Sequence, residues 1–303
     1  MKNMIYVNYI SRFANNIFQY ALAHVIRDLV DGEIVFCPDC VIRSGATHDR
    51  PEETVPIRDI PLYKITDSTN ILARPEWSGK FNEEEKAALR RTGVHFAEDI
   101  LTIENGKVGI SPAYRGAPII LAGYYQNFAY YKGRKQYVAD LLGRIRDFPP
   151  PKMPGANDIV LNFRGTDMSW AQMPPSFYTR ILDGESFDKL WIVTEDPQHK
   201  TVQRLLRLYS GELFSDSPIT DFRFVMSARR IIITVSTFCW MAAWLSDADK
   251  IYFPLGSPCD LFDRNNDKRL IVTGDPRYIY IRHLFGGRFL LNRLPFYRRE
   301  AVS

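Results

Sequence analysis

The sequence contains little cysteine and little histidine, which bears on its compartment and on metal binding. Its 303 residues include four cysteines and five histidines. Cys37-Pro38-Asp39-Cys40 has the spacing of a zinc knuckle or a redox pair, but the sequence has no second such pair. This favours structural thiols, in a reducing compartment, over a redox pair or half of a metal site. Because the histidines form no cluster with metal-ligand spacing, we expect no metal site.

Long uninterrupted apolar runs are also missing. The longest, Ile231 to Leu245, has fifteen residues and includes threonine and serine, whereas a membrane-spanning helix needs about twenty apolar residues. The segment from Met1 to Val7 has the pattern of a strand and not that of a signal peptide. We therefore expect a soluble, cytoplasmic protein.

Neither sign of charge dominates, since 39 basic residues stand against 35 acidic ones. The small excess is concentrated in residues 277–303, where six arginines are interleaved with aromatic residues and only Glu300 is acidic after Arg277. A terminal helix with a solvated basic face explains this composition most simply. The alternatives are a peripheral contact with an anionic membrane surface and, with less support, nucleic-acid binding.

A proline-rich segment predicts a division into two domains. Four prolines and a glycine fall between Phe148 and Gly155, and such a segment cannot continue a helix or a central strand. We expect an N-terminal domain at residues 1–148, a linker at 149–157, a C-terminal domain at 158–276 and a basic aromatic tail at 277–303.

Strands that alternate with helices predict the α/β class. A strand at 4–7, an amphipathic helix at 15–31 and a strand at 33–37 form the start of a βαβ unit. Residues 44–117 show little pattern beyond a helix at 82–91, and a strand at 118–122 and a helix at 134–146 follow. In the second half we predict strands at 159–163, 190–193, 231–235, 250–253 and 270–272, and helices at 176–182, 199–209, 221–228 and 237–245. Short apolar strands of this kind indicate a mostly parallel sheet covered on both sides.

Two strand ends in the second half predict a pocket for a diphosphate. Asn162-Phe163-Arg164-Gly165-Thr166-Asp167 ends one strand, and Ser236-Thr237 ends another and opens an apolar helix. A guanidinium can hold phosphate oxygens bidentately, and a helix N-terminus suits anions. Ligands bind at the carboxyl ends of parallel strands. Taken singly, Arg164 could form a surface ion pair, Ser236 could be a helix cap, and Asp221 could be either a cap or an acceptor for a guanine base.

The turn after the first strand is a second candidate region. Ser11 and Ala14 are small enough for close backbone approach, and Arg12 and Asn15 could face across a cleft toward the second domain. A plain strand–helix turn with a capping asparagine is the alternative.

Five blocks of the sequence, taken in order, carry a family resemblance. They are Ser11–Ala21, Gly123–Gln126, Asn162–Asp167, Val193–Asp196 and the late pair Asp221–Ser227 and Val235–Leu245. They resemble G-R-L-G-N-Q-M-F-Q-Y-A, G-Y-F-Q, H-x-R-x-x-D, F-S-D-D and D-L-x-L-M-S … N-S-S/T-F-S-W-W-G-A-W-L of the α1,2-fucosyltransferase family. The resemblance covers residues 4 to 254 except for 44–117.

The resemblance implies a GT-B fold, in which two Rossmann-like domains face a cleft. It implies inverting transfer of L-fucose from GDP-β-L-fucose, with no metal or other cofactor required, to a glycan or lipid-linked oligosaccharide in surface glycan or polysaccharide synthesis. By position, Arg164 would bind the pyrophosphate and stabilise the leaving GDP, while Asp167 would orient Arg164 or serve the chemistry. The remaining implied contacts to the donor are Arg12, Asn15, Asn162, Asp221, Ser236, Thr237 and Phe238.

The sequence also departs from the family pattern. Asn162 replaces the motif histidine, Ser11 and Ala14 replace two glycines, and Gly165 replaces the second arginine. Asparagine still forms hydrogen bonds but does not titrate near neutral pH. A transferase that uses another nucleotide sugar and a relative that binds without catalysis are therefore the two alternatives.

Overall fold

The chain folds as two compact units, Met1–Arg144 and Ile145–Ser303. The structure is a computed structural model, and it describes residues 3–7, 13–36, 81, 83–143, 145, 148–165, 172–255, 270–283 and 289–290. Each unit has its own parallel sheet with helices packed on it, and the predicted α/β class is therefore confirmed.

The first unit is built on four parallel strands in the order β2-β1-β6-β3, with β4 and β5 forming a separate antiparallel hairpin. Its strands are β1 (Asn3–Val7), β2 (Gly32–Phe36), β3 (His95–Phe96), β4 (Leu101–Glu104), β5 (Lys107–Ile110) and β6 (Ile119–Leu121). Its helices are α1 (Phe13–Val30), α2 (Glu83–Arg91), α3 (Ala97–Ile100) and α4 (Lys135–Leu141), with a 3₁₀ turn at Phe128–Tyr130.

The turn between α1 and β2 shows how the local sequence determines where a strand of this unit begins. Asp31 takes a left-handed φ of 51° after the last helical residue, and Asn3 Nδ2 donates to the Val30 carbonyl at 2.6 Å. A Cβ on Gly32 would lie 2.7 Å from Ile5 Cδ1 and 2.8 Å from the Asn3 carbonyl oxygen. Only glycine therefore allows β2 to start directly beside β1.

The second unit is a seven-stranded sheet in the order β13-β12-β11-β10-β7-β8-β9. Its strands are β7 (Ile159–Phe163), β8 (Leu190–Thr194), β9 (Glu212–Phe214), β10 (Arg230–Ile232), β11 (Lys250–Leu255), β12 (Tyr278–His283) and β13 (Phe289–Leu290). Its helices are α5 (Pro175–Asp183), α6 (Lys200–Tyr209), α7 (Pro218–Met226) and α8 (Thr237–Leu245). Strands β7 to β12 pair in parallel, and β13 is antiparallel to β12.

In each sheet the chain places strands on one side of the first strand and then on its other side, so that the strand order reverses at one place. In the second unit the chain adds β8 and β9 on one side of β7, and then adds β10, β11 and β12 on the other side. In the first unit β2 lies on one side of β1, and β6 lies on the other. Helices leave such a switch point on opposite faces of the sheet, which leaves a crevice at the carboxyl ends of the two strands where ligands bind.

The end of the second sheet differs from the sequence-based expectation in two ways. Residues 270–272 are not a strand, although Leu270 and Val272 are buried, because their carbonyl groups accept side-chain bonds from Trp240 Nε1 and the Tyr280 hydroxyl. The terminal helix with a solvated basic face is wrong for Tyr278–His283, which is β12.

Arg277 is likewise only partly exposed. Its guanidinium pairs with Asp275 at 2.6 Å and donates to the Ser246 carbonyl at 2.6 Å. None of the helices in the described ranges combines the length and the apolar character needed to cross a membrane. Cys37, Cys40 and Cys259 lie outside those ranges, and Cys239 is a buried free thiol.

Candidate functional site

The carboxyl edge of the second sheet carries the residues predicted for the diphosphate. Arg164 directly follows β7 and is half-buried. Ser236 follows β10 by four residues and begins α8. Since β7 and β10 are neighbours in parallel register, their ends meet at the switch point. The structure thus brings the guanidinium and the helix N-terminus to the same edge.

The N-terminus of α8 has the form of an anion site. Ser236 is its N-cap, with Oγ accepting from Cys239 N at 3.4 Å, and is 3% exposed. Thr237 and Phe238 are half-buried in the first turn. The N–H groups of a first turn lack partners within the helix and carry the positive end of the helix dipole. They can therefore hold a phosphate oxygen.

The thiol of Cys239 lies between the two strand ends. Burial raises the pKa of this thiol to about 12, while hydrogen bonds from the backbones of Thr234 and Asn162 act to lower it. One residue of α8 thus contacts the backbone after β10 and the backbone of β7. The contact fixes the first turn of α8 against the switch point.

Asn162 is buried at 8% exposure within β7. Its Nδ2 donates to the Val193 carbonyl at 3.3 Å, which ties β7 to β8 beside their parallel bonds. The side chain in the place of the family histidine therefore has a structural partner. Its predicted contact with the donor stays a prediction.

Gly165 lies in a close approach between two loops. A Cβ on Gly165 would come within 2.8 Å of both Cβ and Oδ2 of Asp196, the second residue after β8. An arginine at this position, as in the family motif, would require Asp196 to move.

His199 follows β8 at the same edge, and it is not among the predicted site residues. It is the N-cap of α6, with Nδ1 accepting from Thr201 N at 3.2 Å, and its ring lies 4.8 Å from that of Phe163. Because Nδ1 accepts, the neutral imidazole carries its proton on Nε2 and can donate there. The sequence signal that could have indicated this residue is a histidine at the start of a helix that follows a strand.

Asp221 lies in the first turns of α7, and Ser217 rather than Asp221 caps that helix. Asp221 Oδ1 accepts from Asp216 N at 2.8 Å. Burial raises the pKa of Asp221 to about 7; the hydrogen bond from the Asp216 backbone lowers it and the Asp216 charge raises it further. The neighbouring Phe222 ring meets the Phe238 ring at 5.4 Å, so Asp221 lies near the start of α8.

The first sheet has polar residues at its own switch point. Asn15 lies in the first turn of α1 and is half-buried, and its Oδ1 accepts from Gln126 Nε2 at 2.6 Å. Gln126 follows β6, which pairs with β1. Asn15 therefore belongs to the first unit, whereas Asn162, Arg164, Asp221, Ser236, Thr237 and Phe238 all belong to the second.

Two predicted site residues, Arg12 and Asp167, lie outside the described residues. Within the described ranges, no three histidine, cysteine, aspartate or glutamate side chains come together as a possible metal site. The donor contacts predicted for the remaining residues stay predictions.

The chain was compared with known proteins. Among solved structures it is similar to the fucosyltransferase NodZ from Bradyrhizobium, at 12% identity and a TM-score of 0.47, over 83% of this chain and 95% of that chain. It is also similar to a mutant of Arabidopsis thaliana FUT1 in complex with GDP, at 10% identity and a TM-score of 0.41, over 85% of this chain and 72% of that chain. No protein-family model and no curated protein matches the chain. The α1,2-fucosyltransferase assignment drawn from the motifs therefore stays a prediction.

Proposed function

We propose that this protein is an inverting glycosyltransferase that moves L-fucose from GDP-β-L-fucose to a hydroxyl of a glycan acceptor, in the manner of α1,2-fucosyltransferases. The observation that supports the proposal is that Arg164 follows β7 and Ser236, the N-cap of α8, follows β10, the parallel neighbour of β7 in the second sheet. A guanidinium and a helix N-terminus at the same edge of a sheet are groups that suit a diphosphate.

The reaction breaks the bond between the anomeric carbon and the diphosphate oxygen. The acceptor hydroxyl oxygen attacks the anomeric carbon from the opposite face, its proton passes to a base, and GDP leaves with the bonding electron pair. Negative charge grows on the diphosphate as it leaves. Arg164 and the N–H groups of Thr237 and Phe238 would stabilise that charge because they are already in place before the reaction starts.

The nucleotide base would be held by Asp221. An ionised carboxylate can accept two hydrogen bonds from guanine, one from N1–H and one from the exocyclic amino group. Uracil and thymine offer only one N–H on that edge and cytosine offers no ring N–H there, so this contact would select GDP over other nucleotides. The position of Asp221 beside Phe222 and the start of α8 supports this role.

The acceptor side is proposed for the first unit, where Asn15 lies at the sheet's switch point. Glycans or lipid-linked oligosaccharides of surface polysaccharide synthesis are the proposed acceptors. A peripheral contact of the C-terminal tail with an anionic membrane, on the cytoplasmic side, would suit a lipid-linked acceptor.

Replacing Arg164 tests the site. We expect Arg164→Ala to abolish fucose transfer and to weaken GDP binding at least tenfold, as measured by calorimetry and by transfer assays with GDP-fucose. Arg164→Lys should recover part of the binding, because lysine keeps the charge but not the bidentate geometry. The control is Arg229→Ala, which removes an exposed arginine paired with Asp249 at 2.7 Å and should leave both measurements unchanged.

Two outcomes would contradict the proposal. Full transfer by Arg164→Ala would show that the site is elsewhere. Thermal stabilisation of the wild-type protein by UDP or dTDP, but not by GDP, would retain a nucleotide site and overturn the donor, since a ligand that binds the folded state raises its stability.

A further inference from the structure

The carboxyl end of β8 carries a third polar group beside the two that were predicted for the diphosphate. In the second sheet β7 lies between β10 and β8. Arg164 follows β7, the start of α8 follows β10, and His199 follows β8 by five residues as the N-cap of α6. Because the three strands are parallel, their carboxyl ends meet at one edge. This edge therefore has hydrogen-bond donors on both sides of Arg164.

The loop between β8 and α6 packs against both chain neighbours of Arg164. The centroid of the His199 ring lies 4.8 Å from that of the Phe163 ring. Asp196 lies at the start of the same loop, and a Cβ on Gly165 would be 2.8 Å from the Asp196 Cβ. Phe163 and Gly165 directly precede and follow Arg164. The imidazole thus contacts the residue next to Arg164, and both belong to the same unit.

A backbone group fixes the orientation and the tautomer of the His199 ring. Its Nδ1 accepts from Thr201 N at 3.2 Å. A backbone N–H can only donate, so a ring rotated by half a turn would place a carbon against it and lose the bond. The neutral imidazole therefore carries its hydrogen on Nε2, on the opposite side of the ring from Thr201 N. His199 is half-buried, and no group of the described residues accepts a hydrogen bond from Nε2.

We infer that His199 Nε2 donates a hydrogen bond to an oxygen of the donor's diphosphate, on the side of Arg164 opposite to the start of α8. This contact rests on the proposed function and deepens it by adding a residue that recognises the diphosphate. A phosphate oxygen carries lone pairs and negative charge, so it accepts from a neutral imidazole N–H without a proton transfer. Capping alone does not explain the residue, because histidine is not among the N-caps that helices favour.

The variant His199→Asn separates the imidazole from the cap. Asparagine is a favoured N-cap, so its side-chain oxygen can replace Nδ1 as the acceptor for Thr201 N, while the donor at Nε2 is lost. We therefore expect a melting temperature close to that of the wild type without ligand. GDP affinity, measured by calorimetry, should fall about tenfold or more, as for loss of a hydrogen bond to a charged group. Affinity for guanosine, which has no phosphate, should stay within about twofold of wild type.

Two further variants separate the loss of this contact from damage to the loop. Gln203→Ala is the matched control, because Gln203 Nε2 donates to the Pro197 carbonyl at 2.8 Å and so supports the same loop without an imidazole. It should lower the melting temperature slightly and leave GDP affinity within about twofold of wild type. His199→Ala should lose both the cap and the diphosphate contact. Its melting temperature should therefore fall, while its GDP affinity should match that of His199→Asn.

The results separate the diphosphate contact from the proposed function. Wild-type GDP affinity in His199→Asn, or equal losses of affinity for guanosine and GDP, would overturn the contact and leave the proposed function in place. Wild-type protein that binds neither GDP nor GDP-fucose would contradict the proposed function and the contact with it. A loss with GDP but not with GMP would assign the oxygen to the β-phosphate, and a loss with both would assign it to the α-phosphate; both results support the contact.

Discussion

At the scale of single residues, Asp221 has the most informative protonation behaviour. Its pKa of about 7 results first from burial. A group whose folded pKa exceeds its unfolded value lowers folding stability as the pH rises between the two values. The contribution of Asp221 to the free energy of unfolding is therefore smallest above about pH 7, where its side chain is ionised in both the folded and the unfolded protein. Ionisation of such a carboxyl group lowers folding stability, and groups of this kind are expected at sites where a ligand compensates their charge.

The pH dependence of donor binding follows from this. If the ionised carboxylate accepts from guanine, affinity for GDP-fucose should fall roughly tenfold between about pH 8 and pH 6, since most Asp221 side chains are then protonated. GDP-fucose suits the calorimetric measurement because its diphosphate is a diester, with no second proton to titrate near pH 6. In Asp221→Asn the affinity should be lower and independent of pH. A wild-type profile that is flat over this range would remove the carboxylate from the base contact.

Single residues also show which features of the candidate site can be predicted from the sequence. Arg164 and Ser236 could be assigned to one edge because each ends an apolar strand, and parallel strands end together. The reason for Gly165 could not be predicted, because it depends on Asp196, about thirty residues later. The bond between Gln126 and Asn15 spans 111 positions and has no local signature.

At the scale of elements, the first turn of α8 is capped by Ser236 and is also the proposed place of the phosphate. Ser236 and Ser217 are both N-caps, of α8 and α7 respectively. Loss of a serine cap costs about 1 kcal/mol in either helix. Only the cap of α8 lies at the switch point beside Arg164. The two helices thus form a matched pair for separating capping from ligand binding.

We expect Ser236→Ala and Ser217→Ala to lower the free energy of unfolding by similar amounts, about 1 kcal/mol each in urea titrations. GDP affinity should fall by about tenfold in Ser236→Ala, because the variant loses a hydroxyl and an ordered N-terminus at the phosphate. In Ser217→Ala, GDP affinity should fall less than in Ser236→Ala, because this variant keeps both the α8 terminus and the Asp221 side chain. Equal loss of affinity in both variants would mean that general stability, and not the α8 terminus, limits binding.

Helices and strands with a strong hydrophobic periodicity could be predicted from the sequence. Those that depend on contacts between distant residues could not. The predicted bounds of β7 and α8 are the observed ones. The hairpin of β4 and β5 was missed despite Asn105-Gly106, which takes left-handed φ values of 53° and 69° and is a common hairpin turn. The apolar residues 270–272 predict a strand, but the carbonyl groups of Leu270 and Val272 bond to side chains and the strand lies at β12.

At the scale of the whole molecule, the charged contacts that stabilise the second unit lie away from the sheet edge that is proposed to bind the donor. At the amino ends of β10 and β11, Arg230 donates to the Ser186 carbonyl at 2.6 Å and to Asn157, and lies 3.5 Å from Glu185. Lys250 pairs with Glu185 at 2.8 Å. Arg164 and the start of α8 lie at the opposite edge of the same sheet. Stability and ligand binding can therefore be altered independently.

Arg230→Met should show this separation. Arg230 is 8% exposed, so its loss leaves buried carbonyl groups without their donor and leaves Glu185 with Lys250 as its remaining cation. Breaking a buried pair of this kind costs roughly 3 kcal/mol or more, and we expect a loss of that order in urea unfolding. GDP affinity of the remaining folded protein should stay within about twofold of wild type. Strongly weakened binding at temperatures where the variant is folded would contradict independence of the two edges.

The parallel pairing of β12 with β11 has a consequence for synthesis of the chain. Tyr278 lies opposite Ile251, so the sixth parallel strand joins the sheet only after residues 278–283 have left the ribosome. At about 5–20 residues per second, the first unit has time to fold long before then. Until β12 arrives, Ile251 and Phe253 lie on an open edge that can pair with another nascent chain. A released chain that ends between Leu255 and Tyr278 should therefore be prone to aggregate, and a released chain that includes His283 should be less so.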